Sequence, residues 1–231
     1  MRKIICAFHK PELEAFERPD LLFAPVIKIE GSTYRLSSPL ESYDWLLFTS
    51  KNGIRYFKDF HDGSYRGKIA VLGSSTAKEL EKYGYKADFI GDGSSSTAMA
   101  AALSNVLTAH DKVLAVLGQM ASFNLQMGLK MKVDRVDVYD TILESLQDKE
   151  SRQLILADEY KLILAASPSA VKSLVMNFGG RETKWRVACI GETTAQACKA
   201  MGIKPVLIAS QQSFETLLNE ATAYDLIETE K

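Results

Sequence analysis

The sequence carries almost no net charge, because its 28 Lys and Arg residues stand against 29 Asp and Glu residues for a formal charge of −1. Such a chain gains no general attraction to a phosphate backbone, so nucleic acid is not expected as a partner. It also has no apolar stretch near the ~20 residues that a membrane span needs. The apolar run at residues 4–8 is too short for a signal peptide, so we expect a cytoplasmic protein without a membrane partner.

Cysteine and histidine are scarce as well. The three cysteines, Cys6, Cys189 and Cys198, lie among apolar neighbours, which predicts buried free thiols. The three histidines are far apart in sequence and form no H-x-x-H pattern, so no metal site is predicted. Motifs of the G-x-S-x-G and P-loop types are absent too. With these features absent, the remaining classes are an enzyme that needs no cofactor and a protein that only binds a ligand.

Short apolar runs that alternate with helical patterns make up most of the chain. The runs lack polar alternation, which is typical of strands covered on both faces in a parallel sheet, so the predicted class is α/β. Predicted strands span residues 2–8, 22–29, 45–49, 68–72, 87–90, 112–117, 133–139, 162–166, 186–190 and 205–209. Predicted helices span residues 76–83, 97–107, 170–178, 194–201 and 214–221.

An internal repeat relates residues 70–95 to residues 188–213. At this offset of 118, eight of 26 positions are identical, against roughly two expected from average composition. The identical pairs are Ala70/Ala188, Gly73/Gly191, Thr76/Thr194, Ala77/Ala195, Gly84/Gly202, Lys86/Lys204, Ile90/Ile208 and Ser95/Ser213. At an offset of 117, residues 46–52 lie over residues 163–169. The chain therefore contains two related modules.

The two modules differ in their number of predicted strands. The first has five, whereas the second has three before the chain ends, and two further strands at the N-terminus would complete it. We therefore expect one lobe of residues 1–29 and 143–231 with a second lobe, residues 35–138, inserted into it. The chain would cross between them through linkers at 29–34 and 139–143, forming a hinge beside a cleft.

Small hydroxyl residues cluster where predicted strands lead into helices. In open α/β sheets ligands bind at this edge, where glycine, hydroxyls and helix N-terminal N–H groups suit anions such as carboxylates. Ser or Thr at such a position also caps its helix without any ligand, and the sequence leaves both interpretations open. The stretch 91–97 resembles a dinucleotide fingerprint but lacks its third glycine. Asp134, Asp137 and Asp140 are interpreted as solvated charges at a strand edge.

The order of these motifs resembles that of the uroporphyrinogen-III synthase family over nearly the whole chain. The matching stretches are Leu47-Phe48-Thr49-Ser50-Lys51-Asn52-Gly53, Val71-Leu72-Gly73-Ser74-Ser75-Thr76-Ala77, Val138-Tyr139-Asp140-Thr141, Ala166-Ser167-Pro168-Ser169-Ala170-Val171 and Ile190-Gly191-Glu192-Thr193-Thr194-Ala195. The resemblance implies two similar flavodoxin-like lobes with parallel sheets, one inserted into the other and joined by a two-stranded β ladder.

The resemblance also implies an activity. Such enzymes take the linear tetrapyrrole hydroxymethylbilane, release its terminal hydroxyl as water and close the ring with inversion of ring D, without metal or organic cofactor. Tyr139 would assist departure of the hydroxyl as hydrogen-bond donor or general acid. Substrate carboxylates would contact seven residues: Thr49, Ser50, Ser75, Thr76, Ser167, Thr193 and Thr194. We expect a monomer that contacts hydroxymethylbilane synthase transiently.

The sequence departs from the family in two places. The Arg-Pro that commonly follows the first strand is replaced by Phe8-His9-Lys10-Pro11, and the Arg-Gly after the fourth strand of the inserted lobe by Leu117-Gly118-Gln119. Two other functions stay open at this stage. One is an inactive two-lobed binding or sensing module for an anionic small molecule, and the other is a nucleotide-dependent oxidoreductase resting on residues 91–97 alone. For Tyr139, simple packing of the ring is the alternative to catalysis.

Overall fold

A computed structural model describes residues 2–93, 95–129, 131–178 and 185–224 of the chain. The strands are β1 (Lys3–Cys6), β2 (Leu21–Phe23), β3 (Ile27–Gly31), β4 (Trp45–Phe48), β5 (Lys68–Val71), β6 (Phe89–Ile90), β7 (Val113–Gly118), β8 (Val133–Leu143), β9 (Tyr160–Ala165), β10 (Val187–Cys189) and β11 (Leu207–Ile208). The α-helices are α1 (Lys51–Tyr56), α2 (Ser74–Glu81), α3 (Ser96–Leu103), α4 (Asn124–Gly128), α5 (Lys149–Ala157), α6 (Pro168–Phe178), α7 (Glu192–Ala200) and α8 (Phe214–Ala223). Single 3-10 turns lie at Glu14–Phe16, Leu40–Ser42 and Lys58–Phe60.

The chain divides into two compact units. The discontinuous unit comprises Met1–Lys28 and Ile142–Lys231, and the inserted unit comprises Ile29–Thr141. The chain therefore passes from one unit to the other at residues 28–29 and again at residues 141–142. At those points it runs in strands β3 and β8, so the predicted linkers are extended chain over part of their length.

Each unit is built on one parallel sheet. The sheet of the discontinuous unit has the order β11-β10-β9-β1-β2, which in chain order is 2-1-3-4-5, the flavodoxin-like order. In the inserted unit the order is β6-β5-β4-β7-β8, with β3 beside β8 at the edge. The two arrangements match position by position, because β1 and β2 fill the places that β7 and β8 fill in the inserted unit. The N-terminal strands thus complete the second module.

Strand β3 also corrects the sequence analysis, which expected one strand over residues 22–29. Two strands are present, and they belong to different sheets. Pro25 lies between them, and proline lacks the N–H that a continuous ladder needs. β3 pairs with β8, and the backbone N–H of Ser32 donates to the Val138 carbonyl at 2.9 Å while that of Glu144 donates to the Val26 carbonyl at 2.8 Å. These bonds define a two-stranded ladder.

The central strands are buried on both faces, as their continuous apolar sequences predict. In the inserted unit, Leu46 and Phe48 of β4 pack towards α1 and α2, whereas Leu47 packs towards α3 and α4. Helices cover both faces of the discontinuous unit's sheet in the same way. The three cysteines are free and buried, which confirms that prediction. Within the described ranges no helix is long and apolar enough to cross a membrane.

Three helices, α1, α4 and α5, are absent from the sequence prediction. The first two are only six and five residues long, so neither shows the repeated apolar spacing of a longer helix.

Backbone conformation explains why the repeat has glycine at both Gly84 and Gly202. These two glycines follow α2 and α7 with φ of 79° and 74°, a left-handed conformation that favours glycine.

An ion pair joins the helices that carry the candidate site in the inserted unit. The guanidinium of Arg55 on α1 donates to both carboxylate oxygens of Glu79 on α2, at 2.7 and 3.1 Å, and Lys82 adds a contact at 3.0 Å. These cations, Arg55 first, lower the pKa of the Glu79 carboxyl from 4.5 to about 2 despite its burial. Its stabilising contribution is therefore complete above pH 4.5 and is lost as the pH falls towards 2.

We expect Glu79→Gln to lower the free energy of unfolding at pH 7 by about 2 kcal/mol. Half of the Arg55 side chain is exposed, which keeps this figure below the full value of the pKa shift. Urea unfolding at pH 7 and at pH 3 checks the expectation, since the gap between the variant and the wild type must narrow at low pH. A gap independent of pH would contradict it.

Candidate active site

Tyr139 lies at the carboxyl edge of the inserted unit's sheet, on β8. Its hydroxyl is 2.9 Å from the hydroxyl of Ser50, which follows β4 two strand positions away. The ring spans the intervening strand β7 over Gly118. A Cβ atom at residue 118 would lie 2.4 Å from Tyr139 Cζ and 2.9 Å from its hydroxyl oxygen. The absence of a side chain at Gly118 therefore makes the Tyr139–Ser50 contact possible.

The pairing of β7 with β8 is irregular at this point. Leu117 pairs with Asp137, but the next residue, Gly118, pairs with Tyr139, so Val138 is one extra residue on β8. A bulge of this kind breaks the alternation of a strand and turns a side chain to a new direction, often beside an active site. Here the side chain affected is that of Tyr139.

Ser50 has two roles in the structure. Its hydroxyl oxygen accepts a hydrogen bond from the backbone N–H of Gly53 at 3.1 Å, which caps α1, and it also contacts the Tyr139 hydroxyl. Burial raises the pKa of Tyr139, the Ser50 hydrogen bond lowers it, and the charge of Asp137 raises it again. The net direction is upward, so the phenol keeps its proton at neutral pH, and either hydroxyl can be the donor in the contact between Tyr139 and Ser50.

Thr76 and Thr194 occupy equivalent places in the two units. Each is in the first turn of its helix, α2 or α7, and is almost fully buried, at 4% and 3% exposure. The helices are preceded by Gly73 and Gly191 and have no side-chain cap, so neither threonine serves as one. Neither hydroxyl has a hydrogen-bond partner among the residues that the structure describes. Capping therefore does not explain these two residues.

The other predicted binding residues differ in their surroundings. Ser167 accepts from the backbone N–H of Ala170 at 3.2 Å, the same capping contact that Ser50 makes to Gly53. Thr49 is half-buried beside Ser50 at the end of β4. Ser75 and Thr193, each immediately before the buried threonine of its unit, are exposed. The structure thus places four of the seven at the edge of the inserted unit and three in the discontinuous unit.

The stretch 91–97 has a packing explanation. A Cβ atom on Gly73 would lie 2.9 Å from the Cα atom of Gly93, so the two glycine backbones lie against each other. Ser95 caps α3 by accepting from Ala98 N–H at 3.1 Å, while Ser94 lies outside the described residues. Across the described ranges, no group of three or more His, Cys, Asp or Glu residues is placed to hold a metal ion.

Comparison with known proteins matches this chain to one family over most of its length. The sequence profile described as "Uroporphyrinogen-III synthase HemD" covers residues 18–219. The chain belongs to the uroporphyrinogen-III synthase family. It is 31% identical over 228 residues to the chloroplastic uroporphyrinogen-III synthase of Oryza sativa, a match covering 88% of this chain and 70% of that protein.

Other relatives of the family agree with this assignment. The chain is 27% identical to the "Porphyrin biosynthesis protein HemD" of Ruminiclostridium josui, a match that covers 90% of this chain and only 43% of that protein's length. Among solved structures, the synthetase from Helicobacter pylori matches with a TM-score of 0.69 at 21% identity, over 96% of this chain and 99% of that one. The mutant synthase from Thermus thermophilus matches with a TM-score of 0.61 at 17% identity, over 96% and 98%. Both confirm the predicted fold.

The three aspartates interpreted as solvated charges are half-buried and also make contacts within the protein. Asp134 accepts a hydrogen bond from the Tyr43 hydroxyl at 2.9 Å, and Asp137 pairs with Arg135 at 2.8 Å. Asp140 contacts the side chain of Gln119 at 2.8 Å when the Gln119 amide nitrogen faces it. Sequence reasoning also missed Gly118 and Arg135 as parts of this region of the synthase fold. The spacing of Arg135 and Asp137, two residues apart on one strand, could have indicated their ion pair, whereas the contact of Gly118 with Tyr139 depends on the register shift and has no local signal.

Proposed function

We propose that the chain catalyses the family reaction, converting hydroxymethylbilane into uroporphyrinogen III with release of one water. The observation that carries this proposal is the Tyr139 phenol, held by Ser50 across Gly118 at the carboxyl edge of the inserted unit. In a member of this family, a protonated phenol fixed at that edge is suited to assist the departure of a hydroxyl group. A lyase that needs no cofactor is the corresponding enzyme class.

In the proposed mechanism, Tyr139 acts on the terminal hydroxymethyl group of the substrate. The phenol donates its hydrogen bond, or its proton, to the hydroxyl oxygen as the carbon–oxygen bond breaks, and water leaves. The electrophilic azafulvene that forms is attacked by the substituted position of ring D, giving a spirocyclic intermediate that rearranges and loses a proton. Ser50 fixes the phenol for this step, since its hydroxyl has a second contact to the α1 backbone.

The hydroxyl residues of both units are proposed to bind carboxylates of the substrate. Closure without an enzyme gives the isomer in which ring D is not inverted, so catalysis depends on holding a flexible, carboxylate-rich chain in one geometry. The hydroxyls of Thr76 and Thr194 support this role, because both lack a hydrogen-bond partner in the described part of the chain. Thr49, Ser50, Ser75, Ser167 and Thr193 complete the proposed set.

A coupled assay tests the proposed function. Hydroxymethylbilane is generated with its synthase, this protein is added, the products are oxidised, and the type I and type III isomers are separated by chromatography. We expect type III to predominate in proportion to protein concentration. Type I alone, from protein shown to be folded, would overturn the proposal and favour the binding-module alternative. The cytoplasmic location, the monomeric state and the transient contact with hydroxymethylbilane synthase stay predictions.

We expect Thr76→Val and Thr194→Val each to raise the KM for hydroxymethylbilane about 10-fold, the value of one hydrogen bond to a charged group. Because neither hydroxyl has a hydrogen-bond partner among the described residues, valine should leave the melting temperature unchanged or raise it. Thr222→Val is the control for loss of a threonine hydroxyl outside the proposed site; this hydroxyl donates to the Leu218 carbonyl and accepts from Arg18, so the variant should lower the melting temperature and leave KM unchanged. Unchanged KM values in both site variants would contradict the carboxylate role.

A further inference from the structure

Arg135 lies on β8, four residues before Tyr139, and its guanidinium is held by several contacts. Nε donates to Asp137 Oδ1 at 2.8 Å, and Nη2 donates to the carbonyl oxygens of Gly118 at 3.2 Å and Gln119 at 3.4 Å. The ring of Phe123 covers the guanidinium at 4.6 Å. Only 14% of the Arg135 side chain is exposed, so the guanidinium is a fixed part of the unit.

The two carbonyl groups that Arg135 binds belong to the residues that contact Tyr139. Gly118 lies under the Tyr139 ring, and the backbone N–H of Gln119 donates to the Tyr139 carbonyl at 2.9 Å. Between Arg135 and Tyr139 lies the extra residue Val138, where the regular pairing of β7 and β8 breaks. The guanidinium therefore connects the end of β7 to β8 before the bulge. The backbone N–H of Gln119 connects the chain after β7 to β8 beyond the bulge.

We propose that Arg135 is a positioning residue that holds the β7–β8 bulge and thereby aims the Tyr139 phenol at Ser50. This inference rests on the proposed function of Tyr139. The Gly118 carbonyl also accepts from the backbone N–H of Ala121 at 2.9 Å, and a planar guanidinium can bind backbone carbonyls and a carboxylate together. A lysine has the same charge but only a single nitrogen, so it cannot make the same set of contacts.

Arg135 also neutralises Asp137. The Asp137 carboxylate is near enough to the phenol for its charge to raise the pKa of Tyr139. Without the guanidinium this charge is unpaired, and the phenol becomes a weaker acid. The two roles can be separated. Arg135→Lys retains the positive charge beside Asp137 but loses the hydrogen bonds to the two carbonyl groups, whereas Arg135→Gln loses both the charge and these hydrogen bonds.

The chain offers a closely matched control in the other unit. Arg186 pairs with the Asp158 carboxylate, donates to the carbonyls of Tyr160 and Lys161, and stacks on the Tyr160 ring at 4.3 Å. Its side chain is 16% exposed, nearly the same as that of Arg135. It precedes β10 and so lies at the amino edge of its sheet, away from the candidate site. Arg186→Gln thus removes an equivalent set of guanidinium contacts without changing the surroundings of Tyr139.

The test compares kcat, KM and melting temperature for Arg135→Gln, Arg135→Lys and Arg186→Gln in the isomer assay. We expect both Arg135 variants to lose about 10-fold or more in kcat with KM changed less than about 3-fold, because misdirecting a donor affects the transition state. Arg186→Gln should lower the melting temperature similarly and leave kcat within about 2-fold. A normal kcat in Arg135→Gln or full rescue by lysine would overturn the proposal. So would an equal kcat loss in Arg186→Gln.

A second readout does not depend on activity, so it separates failure of this proposal from failure of the proposed function. The protein is labelled with ¹³C at tyrosine Cζ, the Tyr139 resonance is assigned with Tyr139→Phe, and its pH titration is followed by NMR. Arg135→Gln should raise the apparent pKa of Tyr139, because the Asp137 charge is then unpaired and the Ser50 contact is lost, while Arg135→Lys, which keeps the positive charge, should raise it less. An unchanged pKa in Arg135→Gln would overturn the placement of Arg135. An inactive wild type with the expected titration would overturn only the proposed function.

Discussion

Tyr139→Phe is expected to lower kcat for type III product by more than about 10-fold, equivalent to at least about 1.4 kcal/mol of transition-state stabilisation. The variant keeps the ring that covers Gly118 but lacks the hydroxyl that contacts Ser50 at 2.9 Å. Since the phenol acts on the leaving hydroxyl and not on the carboxylates, KM should change little. Single-turnover measurement of bilane consumption, with both isomers quantified, checks this result.

Tyr85→Phe is the appropriate control for that experiment. Its hydroxyl donates to the Phe60 carbonyl at 2.8 Å and accepts from the backbone N–H of Tyr65 at 3.2 Å in the same unit, so the substitution removes two phenolic hydrogen bonds away from the site. It should cost stability without changing kcat. If Tyr139→Phe retained full turnover, or if both variants lost the same activity, Tyr139 would be a packing residue, the alternative that the sequence left open.

Gly118→Ala is expected to reduce kcat by about 100-fold, the loss that a misplacement of roughly 1 Å can cause. A methyl group at residue 118 would lie 2.4 Å from Tyr139 Cζ, so the ring must move away from Ser50. The Tyr139 ring is the far end of a rotatable side chain and can turn aside. The melting temperature should therefore fall much less than the activity does.

A double variant tests whether the loss passes through Tyr139. In the Tyr139→Phe background the phenol is already absent, so Gly118→Ala should reduce kcat by no more than about 3-fold further. If the kcat losses of Gly118→Ala and Tyr139→Phe instead multiplied in the double variant, the two residues would act independently. That result would contradict the proposal that the phenol reaches Ser50 across Gly118. Circular dichroism of each variant confirms that the fold is retained.

The repeat explains which features the units share and which they do not. The serine caps at Ser50 and Ser167 and the buried threonines Thr76 and Thr194 occur in both, because the same strand-to-helix geometry occurs in both. Tyr139 has no counterpart in β2, the strand that fills the equivalent position with Leu21–Phe23. The proposed chemistry therefore belongs to the inserted unit, and the repeat places the proposed binding residues in both units.

The sequence by itself determined the α/β class, the two modules and the completion of the second module by the N-terminus. These follow from apolar strands buried on both faces and from the repeated positions at which backbone geometry is demanding, such as Gly84 and Gly202. It also pointed to Tyr139 and the hydroxyl residues as a predicted site, through resemblance to the family. The order of the motifs along the chain was sufficient to show the resemblance, because each strand end leads directly into the helix that follows it.

Only the tertiary structure decided which groups those residues contact. The sequence could not distinguish a helix cap from a free hydroxyl, since both interpretations use Ser or Thr at the same position, whereas the contacts assign capping to Ser50 and Ser167 and not to Thr76 or Thr194. Nor could it place Tyr139 over Gly118, because strand pairing joins residues distant in sequence and the bulge shifts the register by one. A register shift has no local sequence signature, and it directs the phenol.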